Sequence, residues 1–310
     1  MAHEVETMSY AGETPWHGLG VKVPSDLSPE QFMKKAKLDW TVEKIQNYYT
    51  WNDKQHKSSD FSLVRSSDGT ELTTISGDWE PVQNLEAFKF FQEFVNAGDM
   101  EMHTAGSLKN GQMIWALAKI KESFSLFKGD QVDSYLLFSN PHQYGKSIDI
   151  RFTPIRVVCN NTLTLSLQGK TDLAVKLNHR KKFNPDMVKQ TLGIATSKLS
   201  DYKSMAEYLG SKRYTSDNVL QYFKEVFNAP DKVDSDPSRP AKIAAGILES
   251  QPGAQYAEGT WWQAANAVTY SIDHLLGRSQ ETRLQSAWYG VNRAKKIKAL
   301  ELATRYADAA

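Results

Sequence analysis

The 310 residues include one cysteine, Cys159. No internal disulfide framework is therefore open to the chain, and a reducing compartment suits it. No apolar run approaches the ~18 residues that a membrane span requires. Metal patterns are missing too: the seven His are scattered singly, with no His-x-x-x-His and no Cys-x-x-Cys, whereas a zinc site needs clustered ligands. No Gly-x-x-x-x-Gly-Lys-Ser/Thr loop occurs, so ATP hydrolysis by that route is not expected. The opening MAHEVETMSY carries acids where a secretion signal carries positive charge, and no export signal is read there. The expectation is a cytoplasmic protein with no cofactor, no metal and no membrane contact.

What is present suffices for folding. Hydrophobic residues make up 40% and aromatics 11%, with eight Trp, which supports a packed core. The length allows one large or two ordinary domains. The net charge of +1 hides a gradient: residues 1–100 hold 9 Lys/Arg against 16 Asp/Glu, and residues 170–225 hold 11 against 6. Such asymmetry points toward a polyanion.

Residues 1–24 are dense in Gly and Pro and read as an irregular arm. In it, Thr14-Pro15-Trp16-His17-Gly18-Leu19-Gly20 fits either a packed arm anchored by Trp16 or a backbone nest for an anion, with His17 as proton carrier. Ser28-Pro29-Glu30-Gln31 caps a short helix. Strands are expected over 40–51, 61–66 and 72–77, the last two joined by the turn Ser67-Asp68-Gly69-Thr70. A helix over 84–96 closes at Gly98. Strands over 100–107 and 112–120 flank a turn at Asn110-Gly111, and 132–139 is a further strand.

Ser147 to Gly169 reads as a strand, a kink at Pro154, a second strand, and then a helix capped by Cys159-Asn160-Asn161-Thr162. Arg156 sits between apolar neighbours, where a guanidinium is costly unless paired. It is either a solvent-facing or ion-paired residue of the sheet, or an anion-binding arginine. Beyond Gly169 the period turns helical over 185–209, 215–228, 241–248, 260–276 and 281–302. The last helix divides at Gly290, and 229–240 is a Pro/Asp/Ser linker. The fold class expected is α+β: an N-terminal antiparallel-sheet domain with flanking helices, followed by a mainly helical C-terminal region. The divisions are an arm (1–24), a core (25–170), a basic helical region (171–228), the linker (229–240) and C-terminal helices (241–310).

Catalytic candidates are sparse. Cys159 near a helix N-terminus could pair with His142 or His274, although a lone Cys is more often a small buried hydrophobe. Asp273 and His274 are neighbours, and helix neighbours point to different faces. Polyanion binding fits better. Arg156, Lys176, Arg180, Lys181, Lys182, Lys198, Lys203, Lys212 and Arg213, with His179 among them and Phe183, Tyr202, Tyr208 and Tyr214 interleaved, could neutralise phosphates while bases stack. A solvated helical face explains the same charges. Arg293, Lys295, Lys296 and Lys298 form a second cluster that would also complement a helix dipole.

Several segments stand in a telling order: Met1-Ala2-His3 before Glu6-Thr7-Met8, the Thr14–Gly20 run, Pro81-Val82-Gln83-Asn84, Arg156-Val157-Val158-Cys159-Asn160-Asn161-Thr162-Leu163, Gly259-Thr260-Trp261-Trp262, Asn266-Ala267-Val268-Thr269 and Asp273-His274. Together they resemble the phage/plasmid-like proteins of domain of unknown function 932. The resemblance implies a phage or mobile-element protein working inside a bacterium, and it supplies no catalytic residues. In outline, an α+β domain followed by a basic helical part is similar to the single-strand annealing recombinases of the RecT and Erf type. That outline implies ATP-independent binding and annealing of single-stranded DNA by a homo-oligomer. The other classes kept open are a protein-interaction module that inhibits or redirects a host enzyme, for counter-defence or takeover, and an enzyme acting on nucleotides or nucleic acid.

Overall fold

The computed structural model describes residues 5–12, 20–127, 129–156, 161–162, 166–167, 170–171, 174–177, 179, 200–233, 235–277, 286–287 and 290–309. The chain divides into two compact units. One holds Met1–Lys121, Tyr135–Phe152 and Ala174–Leu192; the other holds Glu122–Ser134, Thr153–Leu173 and Gly193–Ala310. An antiparallel-dominated sheet region with helices comes first, and a helical region follows.

The strands are β1 (Val5–Tyr10), β2 (Val21–Lys22), β3 (Val42–Trp51), β4 (Lys54–Arg65), β5 (Glu71–Ser76), β6 (Met100–Leu108), β7 (Met113–Leu126), β8 (Asp130–Pro141) and β9 (Ile148–Arg156). The short strands β10 (Asn161–Thr162), β11 (Ser166–Leu167), β12 (Lys170–Thr171) and β13 (Ala174–Leu177) follow. The larger sheet runs β10-β9-β8-β7-β6-β1-β2 with β13 on β9, and a separate three-stranded sheet runs β3-β4-β5. Gly106 of β6 is obligatory in this arrangement, because an added Cβ would lie 2.4 Å from the Thr7 carbonyl of β1.

Two described helices lie in the first unit. Helix α1 (Pro29–Lys35) starts on the expected capping box, with Ser28 accepting from the Gln31 N–H and Gln31 reaching back. Helix α2 (Asn84–Ala97) ends where Gly98 turns left-handed at φ 79°, as the sequence implies. Phe32 and Met33 of α1 and Ala87, Phe88, Phe90 and Phe91 of α2 enter one core with Leu63, Leu72, Met102, Ala105, Phe138 and Ile150. The apolar spacing of α2 thus buries one face.

A polar network is buried in that core. It is built on Trp79 to Asn84, which contains the Pro-Val-Gln-Asn segment. The Val82 carbonyl accepts from the Asn140 amide at 2.7 Å. The Gln83 side chain bonds both backbone groups of Val42, like a one-residue strand. The Asn84 amide donates to the carbonyls of Leu38 (3.0 Å) and Trp40 (3.2 Å), so its oxygen is the acceptor for Nε2 of His142, at 2.9 Å. His179 joins through its Nδ1 at 3.3 Å from the Glu80 carbonyl, with its ring stacked on Trp79 at 4.1 Å between centroids. Asn84, Asn140, His142 and His179 are all buried.

The second unit is organised by aromatics. Its described helices are α3 (described over 200–211), α4 (Ser216–Phe227), α5 (Arg239–Gly246), α6 (Trp261–Tyr270) and α7 (Val291–Asp308). Helix α6 continues as a π-helical turn, Ser271–Leu275. Thr260 caps α6, and Trp261 stacks on Tyr306 while Tyr214 and Tyr222 meet it edge-on. The segment after Phe227 is tied down by Asn228, which bonds Lys232, Asp236 and Ser238.

Three expectations are corrected. Asn161–Thr162 pairs with Ile155 and Arg156 as strand β10, where a capped helix was expected. Pro154 does not divide the strand: β9 runs through it from Ile148 to Arg156. Within 171–228, expected as a basic helical region, Ala174–Leu177 is strand β13 and pairs with β9. Asn and Thr suit turns and strand ends as well as N-caps, and cross-strand partners decided between them here.

Two outcomes follow for the network. Asn84→Ala strands two buried carbonyls and an imidazole N–H, and should lower stability by about 3 kcal/mol. Urea unfolding measures this, and a change within about 1 kcal/mol counts against a central role for Asn84. The second outcome concerns pH. Burial, reinforced by the charge on His179, pushes the His142 pKa down to about 3; burial pushes His179 down to about 4, against its bond to the Glu80 carbonyl. Unfolded imidazoles titrate near ~6.5, so their contribution to stability is whole above that pH. It falls as pH drops toward about 4, by up to about 1.4 kcal/mol per pH unit for each histidine. His179→Gln should shallow that fall in urea midpoints; an unchanged slope contradicts it.

Candidate nucleic-acid interface

The most exposed aromatic surface described is the far end of the β3–β4 hairpin. Strands β3 and β4 pair from Val42↔Arg65 out to Trp51↔Lys54. Strand β5 pairs with β4 only from Asp60 to Val64, so residues 48–57 extend past β5 as a two-stranded ribbon. The two-residue turn Asn52-Asp53 has both φ positive, at 49° and 57°, the type I′ geometry whose twist matches a hairpin. Between Gln46↔Phe61 and Tyr48↔Lys57, β4 carries two extra residues as a bulge. The Gln46 amide fills it, donating to the carbonyls of Asn47, Ser58 and Asp60.

Residues directly opposite in an antiparallel pair share a face. Tyr49 and Trp51 therefore share one face with His56 and Lys54, and Tyr48 and Thr50 share the other with Lys57 and Gln55. His56 stacks on Tyr49 at 5.4 Å and meets the Trp51 edge at 6.3 Å. Tyr48, Tyr49 and Trp51 remain 56%, 56% and 64% exposed. Each face thus presents an open ring with an ammonium opposite: Trp51 with Lys54, and Tyr48 with Lys57. Chemically, this is a platform for a flat π-system attached to an anion.

The residues expected to bind nucleic acid are placed differently. Tyr202 is fully buried between Phe124 and Trp262, so no base can reach its ring. His179 is buried and held neutral, and adds nothing to a basic surface. Lys203 lies 3.8 Å from Glu207, Lys212 lies over the Tyr208 ring, and Arg213 is exposed beside Gly259. The backbone of Lys212 and Tyr214 bonds Trp261 and Gly259, so this end of α3 is stitched to the cap of α6. Tyr208 and Tyr214 direct their hydroxyls to Asp308 and Gln263. Arg156 pairs with Asn161 and Lys176 pairs with Asp149 through their backbones. The side chains of Arg156 and Lys176, and Arg180, Lys181, Lys182, Phe183 and Lys198, lie outside the described residues.

The other candidates take structural roles. Lys296 is buried, with its ammonium 3.0 Å from the buried Asp273 carboxylate in the π-helical turn, so it is no part of an open basic cluster. His274 stacks on Tyr270. His142 is enclosed by Asn84 and the Trp40 edge. Cys159 and His17 lie outside the described residues. A cavity of about 440 Å³ is lined by Glu6, Lys37, Asp39, Trp40, Arg65 and Asp68, among others. Its Arg65 guanidinium is already forked onto Asp68 and bonded to Glu6, and it holds the Asp68 carboxyl well below the usual carboxylate range. Among the described residues no group of three or more His, Cys, Asp or Glu is placed to hold a metal, and no described helix is long and apolar enough to cross a membrane.

Comparison with known families matches residues 71–288 to the model described as Domain of unknown function (DUF932). The chain belongs to the DUF932 family. No curated protein and no solved structure matches it. The matched span holds much of the buried network (Trp79 to Asn84, Asn140, His142 and His179) and Thr260, Trp261, Trp262 and Asp273 of the second unit, while the ribbon precedes it. In this DUF932 chain the ribbon was missed by sequence because Lys54 to Asp60 is polar and lacks β-branched residues. The readable signal was Asn52-Asp53, a two-residue turn directly after an aromatic strand.

The buried pair in the second unit is open to test. Lys296→Met removes the ammonium from beside the buried Asp273 carboxylate, and should cost about 3–5 kcal/mol, most of it regained by adding Asp273→Leu. Chemical denaturation of the single and double variants checks this; a double variant no more stable than the single one argues against a coupled pair.

Proposed function

We propose that this protein binds single-stranded nucleic acid without ATP or a metal, as a strand-handling factor of a phage or mobile element, and that the β3–β4 ribbon is where bases stack. The observation that carries this reading is that each face of the ribbon pairs an open ring with an ammonium across the strand, Trp51 with Lys54 and Tyr48 with Lys57. A base laid on Trp51 or Tyr49 places its phosphate within reach of Lys54, and the opposite face repeats the arrangement with Tyr48 and Lys57. Stacking is worth about 1–3 kcal/mol per base and is indifferent to sequence. Strand annealing, implied by the RecT- and Erf-like outline, is the wider activity that such a platform would serve.

Charge makes the smaller contribution. Residues 1–100 carry 9 Lys/Arg against 16 Asp/Glu, and the ribbon's lysines are a local exception. Two phosphate contacts give a salt slope of only about −1.4 for a single strand. A duplex, whose bases are already stacked, would gain the lysine contacts alone.

Fluorescence anisotropy with a labelled oligothymidylate, an equivalent duplex and a salt series tests this. Single strand should be preferred over duplex, with a shallow salt slope, and Trp51→Ala should weaken binding by roughly 5–150-fold. Equal affinity of wild type and Trp51→Ala, or a preference for duplex, would overturn the proposal. No binding at low salt would instead turn the ribbon over to a host-protein partner.

A further inference from the structure

We propose that β3 pairs edge to edge with β3 of a second copy of the chain, antiparallel, through Gln46 to Trp51. Strand β3 is an outer strand of the β3-β4-β5 sheet, and among the described residues no strand lies against its outer side. The first part of that edge is closed by a side chain. The closure is at Val42, where Gln83 takes both backbone groups. Beyond Gln46 no such cover is present among the described residues, although the strand continues for five residues with Tyr48, Tyr49 and Trp51 open to solvent.

Edge strands that stay single carry lysines, prolines, inward charges or bulges that prevent pairing. The segment Gln46-Asn47-Tyr48-Tyr49-Thr50-Trp51 has no charged residue and no proline or glycine. The charges of the ribbon sit on its other strand and turn, at Asp53, Lys54 and Lys57, and the bulge lies in β4. The protective devices are thus placed everywhere on the hairpin except on this edge.

A second copy is the occupant that the composition favours. Two-fold pairing of a strand with itself is isologous, so the segment must tolerate its own side chains opposite. In any antiparallel register within 46–51, Tyr, Thr, Asn, Gln and Trp face one another and no like charges meet. Aromatic and Thr pairs across strands are favourable. Backbone groups make this contact while side chains point above and below, so both ring-and-ammonium faces stay open. Pairing would place two ribbons side by side and double the stacking surface; that consequence, unlike the pairing itself, rests on the nucleic-acid reading.

The test uses the intact chain in sedimentation velocity between about 1 and 100 µM. Wild type should form a reversible dimer. Thr50→Lys and Thr50→Glu, at an exposed position opposite Gln55, should each weaken it roughly fivefold or more, because like charges then sit close across the two-fold. An equimolar mixture of the two variants should regain association. A wild type that stays monomeric, or charged variants that associate like wild type, would overturn the proposal. Oligothymidylate binding by dilute wild type, below the association range, reports the ribbon faces independently, so either reading can fail without the other.

Discussion

Asn84 is the residue on which the first unit turns. Its amide donates to two carbonyls, Leu38 and Trp40, in the link between α1 and β3, and its oxygen receives the His142 ring beyond β8. One side chain therefore satisfies groups from segments more than forty residues apart on either side. Alternate residues of the same extended stretch do similar work, with Val82 receiving Asn140 and Glu80 receiving His179. Between them Gln83 acts as a one-residue strand against Val42. Buried polar groups raise the cost of every wrong arrangement, since a half-satisfied network is worse than an apolar core. The apolar contacts of α1 and α2 favour collapse in many registers; this network favours one.

The same reasoning explains what sequence could and could not show. Helix α1, helix α2 and the alternating strands of the sheet were readable because their signals are local: a capping box, a glycine in the left-handed region, and periods of 3.6 or 2. Strand β4 was not, over Lys54 to Asp60, because Lys54 to Lys57 are extended through pairing with Tyr48 to Trp51 and the bulge that follows is held by the Gln46 side chain. The Asn161–Thr162 segment failed for the opposite reason. Its residues carry a genuine capping signal, yet β9 supplied a partner for their backbone first.

Charge was the least readable property. Counting lysines assumes that each is solvated, and Lys296 is not: it lies in the interior against Asp273. Arg65 is likewise consumed by Glu6 and Asp68. A histidine in a basic run looks like part of that run, but His179 is a neutral ring stacked on Trp79. Aromatics were misassigned in the same way. Tyr202 is core, while Tyr48, Tyr49 and Trp51, which strand periodicity alone would half-bury, stand open. Burial of a polar or aromatic side chain is decided by tertiary partners, and composition holds no record of them.

The open rings of the ribbon oppose the rest of the design. A two-stranded ribbon is marginally stable alone, and its aromatics gain little from folding while they remain exposed. Tyr49, Trp51 and His56 recover part of that by packing on one another, but three large rings at a hairpin tip still leave apolar surface in water. Long-range charge attraction does not account for them, because the surrounding hundred residues are acidic. The proposed contact dominated by stacking would account for them, since it needs rings more than lysines and tolerates an acidic background. The uncharged edge beside those rings fits the proposed pairing, in which the hairpin would use its side chains for one kind of contact and its backbone for another.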